Sequence, residues 1–326
     1  MSSRSCPLCG SFSVAVFDKY RYNHVFDREY LPCSQLLRCD SCDLGFAYPL
    51  PSEAQLSSYY STIYRRKGRP YLNHCASSFK IDLRYISLAF DIISTFVSRN
   101  PDYTQKLRVL DFGAGNGELG IAMLSIYDNI ELFAIEPDSA SSRRLENIGY
   151  KVYDNLSLLP ELDILVSNHS LEHLLAPFPE LHELTTKKMS SRSMVCIEVP
   201  YCSMDQDFMS RVYDSPHLTF WNRKSLSKLF AKLDISIDRL YNYGAPYAAY
   251  FSHHIRPSTP REHLRSLLKC LWSFSFLKRL IHWRIRSSLY IILERSMYAP
   301  VHDSAFRISN SSDVPLNCIR VLGFKD

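Results

Sequence analysis

The stretch Val109-Leu110-Asp111-Phe112-Gly113-Ala114-Gly115-Asn116-Gly117-Glu118-Leu119-Gly120 joins an apolar run to a glycine turn and then to the start of a helix. Four of the chain's ten glycines fall between positions 113 and 120. Glycine is needed where the backbone takes a positive φ or comes close to a ligand, so the cluster marks a place where main chain meets a bound molecule.

Two cofactor classes compete for such a turn. Gly115, Gly117 and Gly120 have the G-x-G-x-x-G spacing of a dinucleotide site. Asp111 argues against that reading, because a carboxylate this close repels a pyrophosphate but attracts the ammonium and sulfonium of S-adenosylmethionine. About twenty residues on, the run from Glu131 to Glu136 predicts a second strand that ends in an acid. A carboxylate there accepts the hydroxyls of an adenosine ribose, whichever cofactor carries it.

Asp111, Gly113, Gly115 and Gly117 complete the first motif of the class I S-adenosylmethionine-dependent methyltransferases, and the chain resembles that family. The resemblance continues through Leu162–Leu174, Ser193–Pro200, His217–Trp221 and Ser225-Leu226, over roughly two thirds of the chain. It implies that Asp111, Gly113, Gly115 and Gly117 hold the methionine and ribose portions, that Glu136 binds the ribose hydroxyls, and that Asp154 contacts the adenine. The implied fold is α/β, a doubly wound, Rossmann-like, seven-stranded sheet. Strand-like segments near 108–113, 131–136, 150–154, 162–168, 193–199, 234–241 and 317–324, the early ones separated by helices, follow that pattern. A helix over 76–100, with Phe79, Leu83, Ile86, Phe90 and Ile93 on its apolar face, precedes the first of these strands. Ligands of such sheets bind beyond the carboxyl ends of the strands, where Asp111, Glu136, Asp154 and Asn168 emerge.

Upstream, Cys6-Pro-Leu-Cys9 and Cys39-Asp-Ser-Cys42 form two C-x-x-C knuckles. Four thiolates at these positions suit one tetrahedral Zn²⁺, and with every position taken by sulfur that zinc is structural. Free thiols or a redox pair are the alternative. The module resembles that of a methyltransferase subgroup acting in nucleotide-sugar and surface-polysaccharide pathways. In that subgroup a tyrosine-rich segment lies over the cofactor, which makes Tyr59, Tyr60 and Tyr64 candidates for a lid. The domains expected are a zinc ribbon over 1–50, a link and cofactor lid over 51–75, and a methyltransferase domain over 76–326.

The turn Asn168-His169-Ser170-Leu171-Glu172-His173 holds the candidates for acid–base chemistry. His173 titrates near neutrality and Glu172 can fix its tautomer. The same turn also reads as a helix start capped by Ser170 or Asn168, with the Glu-His pair packed behind the cofactor. His217 is a second candidate base, or a satisfied loop histidine.

With 326 residues, 46% of them apolar, the chain can bury a sizeable core. A formal charge of +5 does not by itself point to nucleic acid. The N-terminus lacks the apolar segment of a secretory signal, and no run of about eighteen apolar residues occurs, so a cytoplasmic location is expected. Arg65, Arg66, Lys67 and Arg69 read as a solvated face or as a phosphate clamp. A basic, apolar helical insertion at about 255–300 suits packing, a homodimer contact or a peripheral membrane surface.

The expected activity is methyl transfer from S-adenosylmethionine to a small-molecule acceptor, a sugar in a nucleotide-linked or polysaccharide precursor. One rival is an RNA methyltransferase gripping phosphates through the ribbon and Arg65–Arg69, marked by a strong salt dependence. The other is a binding protein that keeps the fold without catalysis, against which the complete set of acids and glycines argues.

Overall fold

The structure is a computed structural model that describes residues 4–22, 27–62, 64, 83–204, 215–246, 307–309 and 316–326. The basic segment Arg65–Arg69 and the insertion at about 255–300 lie outside these residues. Among the described residues no helix is long and apolar enough to cross a membrane.

The N-terminal part contains β1 (Val14–Lys19), a short α1 (Asp27–Tyr30), β2 (Gln35–Cys39), β3 (Gly45–Tyr48) and α2 (Glu53–Thr62). Next comes α3 (Leu83–Arg99), where Ile86, Ala89, Ile93 and Phe96 are buried at the three- and four-residue spacing that forms one helical face. The alternating section follows as β4 (Leu107–Phe112), α4 (Glu118–Ile126), β5 (Ile130–Ile135), α5 (Ser139–Ile148), β6 (Lys151–Tyr153), β7 (Leu162–Asn168), α6 (Pro177–Lys187) and β8 (Met189–Pro200). The chain then forms β9 (Thr219–Phe220), α7 (Arg223–Lys232), β10 (Ile235–Pro246), β11 (Arg307–Ser309) and β12 (Leu316–Lys325). Asn222 starts α7 with a capping box, accepting from the Ser225 N–H at 3.0 Å while its own N–H donates to Ser225 Oγ at 2.9 Å.

The large sheet has the order β11-β10-β12-β8-β7-β4-β5-β6. Strands β4 to β8 run parallel; at one side β12 is antiparallel to β8, and β10, antiparallel to β12, runs again in the direction of β8. Seven of these strands fall on the segments expected from sequence. The eighth, β11, is three residues long, pairs with Asn242–Gly244 of β10 and lies beyond the insertion expected at about 255–300, where the sequence predicts no strand. The strand order reverses between β4 and β7, which puts a crevice beyond their carboxyl ends. The central strands are apolar on both faces, as burial between helix layers requires. Leu110, Phe112 and Leu165 enter one core cluster, whereas Val109, Ile164 and Val166 enter another. Alternate residues of a strand point to opposite faces, so the two clusters lie on opposite faces of the sheet.

A second sheet has the order β1-β2-β3-β9. Its last strand comes from beyond β8, so the cysteine module and the alternating section share backbone pairing: Gly45 opposes Phe220 and Phe46 opposes Thr219. Cys6, Leu8, Cys39 and Cys42 belong to the same apolar cluster as Trp221 and Leu226. Lys232 Nζ donates to the Leu8 carbonyl at 2.8 Å, adding a polar tie.

Gly120 serves packing rather than a ligand. A Cβ there would lie 2.0 Å from the Tyr150 hydroxyl oxygen, so the third glycine of the dinucleotide-like spacing makes room for a tyrosine ring. Gly120→Ala is expected to lower stability by about 1–3 kcal/mol through overpacking, measured by urea denaturation. An unchanged midpoint would contradict this contact.

Candidate functional site

The glycine turn is held from two sides. Gly113 takes φ +76°, and its carbonyl accepts from Ser170 Oγ at 3.2 Å. A Cβ on Gly113 would lie 2.3 Å from that oxygen, so a side chain is excluded by space as well as by backbone angle. The Gly115 N–H donates to Glu136 Oε2 at 2.8 Å, and the Asp138 N–H donates to Glu136 Oε1 at 3.0 Å. A carboxylate offers about four lone-pair sites, so these two bonds are compatible with accepting hydroxyl groups as well.

Asp111 is buried near the end of β4, and Tyr150 donates its hydroxyl to Asp111 Oδ2 at 3.0 Å. Burial raises its pKa to about 7; the Tyr150 hydrogen bond opposes this, while the nearby Glu136 and Glu118 charges add to it. Asn168 ends β7 half-buried, and its Oδ1 has no hydrogen-bond partner among the described residues. Asp154 follows β6 and is exposed.

Beyond β7 the chain forms a 3-10 turn, Leu171–His173, in place of the capped helix start that Ser170 or Asn168 suggested. The Ser170 side chain makes no cap and bonds back to Gly113. Helix α6 begins later, at Pro177. The turn points Glu172 inward, where its side chain is 2% exposed. Glu172 Oε1 lies 3.5 Å from His169 Nδ1, 3.9 Å from His173 Nε2 and 4.0 Å from His217 Nε2. At these separations the imidazoles are electrostatic neighbours, and neither Glu172 oxygen has a hydrogen-bond partner among the described residues.

Burial alone would raise the Glu172 pKa, but His169, followed by His173 and His217, outweighs it and holds the carboxyl at about 2. Burial keeps both of the other rings neutral: His173 is lowered from 6.5, and His217 is lowered to about 3, where a proton on His173 would act in the same direction. The two rings meet edge to face with centroids 5.0 Å apart. Tyr60 and Tyr64 also meet His173 edge-on, at 6.1 and 6.3 Å. The Tyr60 hydroxyl and His173 Nδ1 are buried and have no hydrogen-bond partner among the described residues. Tyr59 lies beneath them, fully buried, and donates to Asp27 Oδ1 at 3.1 Å.

His217 reaches this place through the N-terminal module. Its carbonyl accepts from the Tyr20 hydroxyl at 2.9 Å, and the next carbonyl, of Leu218, accepts from the Ala47 N–H at 2.8 Å. Glu172 returns the contact through its own carbonyl, which accepts from the Leu218 N–H at 2.8 Å. In the module itself, Cys6 and Cys42 have Sγ atoms 3.5 Å apart, as do Cys9 and Cys39. All four sulfurs lie within 4.8 Å of one another.

Sequence reading named His173, Glu172 and His217 together but gave no role to His169, Glu198 or Arg320. Glu198 and Arg320 are both fully buried, and Arg320 Nε donates to Glu198 Oε2 at 2.7 Å. A signal was present in each case: a charged residue inside an apolar strand, Ile197-Glu198-Val199 or Ile319-Arg320-Val321, must find a partner of opposite sign.

A family model described as "Methyltransferase domain" matches residues 84–240, which span α3 through the first half of β10. Among solved structures, the chain is similar to a SAM dependent methyltransferase from Archaeoglobus fulgidus, with 18% identity over 72% of this chain and 94% of that one and a TM-score of 0.40. It is similar to a plantazolicin methyltransferase in complex with a triazolic desmethylPZN analog and SAH, with 12% identity over 74% and 85% of the two chains and a TM-score of 0.45. It is also similar to coclaurine N-methyltransferase bound to N-methylheliamine and SAH, with 13% identity over 72% and 71% and a TM-score of 0.38. No curated protein matches the chain.

The buried charges make stability depend on acid. Glu172 and Glu198 sit at about 2 against an ordinary 4.5, so what they contribute is complete above that range and is lost as pH falls toward 2. His173 and His217, lowered from 6.5, take up protons more readily in the unfolded chain, which removes stability as pH falls below 6.5. Glu198→Gln is expected to cost about 3–5 kcal/mol at pH 7 by removing one of the carboxylates that meet the buried Arg320, measured by urea denaturation. The gap to the parent protein should shrink toward pH 2, where Glu198 itself becomes protonated; a gap independent of pH would contradict the ion pair.

Proposed function

We propose that the methyltransferase domain over residues 84–240 transfers a methyl group from S-adenosylmethionine to a small, hydroxyl-bearing acceptor, a sugar in a nucleotide-linked or polysaccharide precursor. The observation that carries the reading is the bond from Ser170 Oγ to the Gly113 carbonyl. It joins the glycine turn to the turn bearing Glu172 and His173, so a donor held by the first has its reactive end beside the second. The donor supplies a methyl carbon already activated by a sulfonium, which leaves the protein to align the acceptor and exclude water.

In this reading Glu136 accepts the ribose hydroxyls, the backbone of Gly113, Gly115 and Gly117 lies against the methionine portion, and Asp111 supplies a negative field to the ammonium. Asp154 and Asn168 stand at the rim of the same crevice, toward the adenine and the methyl group respectively. Tyr60 and Tyr64 cover His173 and keep water from it. His173, neutral at pH 7, takes the proton that the acceptor releases, with Glu172 and His217 fixing its orientation. Tyrosines, imidazoles and the buried Glu172 carboxylate, which has no hydrogen-bond partner among the described residues, form a wall with aromatic faces and hydrogen-bonding groups, which suits a polyhydroxylated acceptor better than an apolar one.

The four sulfurs of the N-terminal module fit a structural Zn²⁺. A tetrahedral ion with Zn–S distances of about 2.3 Å separates its ligands by roughly 3.8 Å, close to the spacing found here. Cys6, Cys9, Cys39 and Cys42 would hold it and so brace β2, β3 and, through pairing, β9. Metal analysis of the full chain is expected to give one zinc per chain, lost in Cys39→Ser.

Calorimetry tests the donor site. S-adenosylmethionine is expected to bind, and Glu136→Ala to weaken it by about tenfold or more, a change of about 1.4 kcal/mol. Because Asp111 has a pKa of about 7, a bound cation should pull it down and release a fraction of a proton at pH 7. Titrations in buffers of different ionisation enthalpy should detect this release in the parent protein and not in Asp111→Asn. His173→Gln should leave donor binding intact and reduce turnover by about 10²–10⁴ on the acceptor found by screening nucleotide-sugars and glycans for S-adenosylhomocysteine release. Absence of donor binding by the parent protein would sink the reading.

A further inference from the structure

We infer that His169 is a positioning residue: its ring bridges the buried carboxylates of Glu198 and Glu172 and couples the interior of the sheet to the His173–His217 pair. The inference rests on reading that pair as the acid–base end of the site.

His169 Nδ1 lies 3.5 Å from Glu172 Oε1, and His169 Nε2 lies 3.5 Å from Glu198 Oε1. One imidazole thus faces a carboxylate at each nitrogen, an arrangement that favours the doubly protonated ring. The backbone supports the placement. His169 takes φ +53°, a left-handed conformation that a β-carbon disfavours, and its N–H donates to the Glu198 carbonyl at 2.8 Å. Such a cost persists where the surroundings fix the residue, and here it turns the ring between the two acids.

The line of charge continues on both sides. Glu198 is gripped by Arg320, whose Nε and Nη2 lie 2.7 and 2.5 Å from Glu198 Oε2. Arg320 also bonds Asp91, and its Nη1 donates to the Tyr241 hydroxyl at 3.0 Å. From Arg320 the sign alternates through Glu198, His169 and Glu172 to the neutral pair His173 and His217. Alternation keeps each buried charge next to its opposite.

Several other groups surround His169. Cys318 of β12 places its Sγ 3.7 Å from Nε2. On the neighbouring helix α3, Arg84 acts on Glu198, and His169 in turn acts on the Tyr85 hydroxyl. His173 and His217 complete the ring around Glu172. Burial acts to lower the His169 pKa, but Cys318, Glu172 and Glu198 together raise it well above 6.5. In turn the His169 charge helps lower both His173 and His217.

The consequence is chemical as well as structural. A cation at His169 keeps Glu172 ionised and fixed, and at the same time adds to the burial that keeps His173 and His217 free of protons at neutral pH. Removing the cation should leave Glu172 to attract protons onto those two rings.

The test is an NMR titration of the full-length protein, without donor, carrying ¹³C-labelled histidine, from pH 5 to 9, with His169→Gln assigning the signal. His169 is expected to keep the protonated-imidazole shift well above pH 6.5, the ordinary histidine value, while His173 and His217 stay neutral below it. In folded His169→Gln, the latter two should titrate higher by about one pH unit, tenfold in proton affinity. A His169 that titrates near 6.5, or unchanged titrations of His173 and His217 in folded His169→Gln, would overturn the inference. If that variant does not fold, the His169 titration in the parent protein, assigned through its coupling to Glu198→Asp, decides alone. Because no donor or acceptor is present, failure of methyl transfer leaves this result readable.

Discussion

Two carboxylates with almost no exposure to water, Glu172 and Glu198, set the terms for the carboxyl edge of the large sheet. Taking a charge out of water costs several kcal/mol, so each must be met by positive charge within a few ångströms. Glu198 is met by Arg320 from β12, which requires β12 to lie antiparallel against β8. Glu172 is met by the His169 cation, with the neutral rings of His173 and His217 beside it, which requires the chain beyond β7 to turn inward and the His217 segment to come back over it. The added antiparallel strand and the inward turn are therefore linked through charge as well as through apolar packing.

The N-terminal module belongs to this arrangement. Its β3 pairs with β9, and that pairing fixes the backbone two residues after His217. Tyr20, Ala47 and the Glu172 carbonyl all bond the same short stretch. Tyr60 of α2 and Tyr64 just beyond it meet His173. What looks in sequence like an appended cysteine domain is one wall around the imidazole pair, with four cysteine sulfurs gathered within 4.8 Å of one another in the same module.

Much of the fold was legible because the central strands announce themselves by apolar runs and the glycine turn by its composition. Asp111, Glu136 and the Glu172-His173 turn emerge at the same edge for the same topological reason. Other features depend on contacts distant in sequence. Gly120 reads like a ligand-binding glycine until Tyr150 is seen against it. The Ser170 hydroxyl reads like a helix cap, yet it bonds to Gly113 across 57 positions. The role of His169 depends on Glu198, Cys318 and Arg320, whose approach follows from strand order that no local pattern encodes. β11 is too short to produce a pattern of its own.

The union of the glycine turn and the imidazole cluster into one site is tested most directly by a crystal structure of the full chain with S-adenosylhomocysteine. The ribose hydroxyls should lie on Glu136 and the thioether sulfur should face the space bordered by Tyr60, His173 and His217. A nucleoside bound elsewhere, or a sulfur directed away from His173 with those rings closed off by protein, would contradict it.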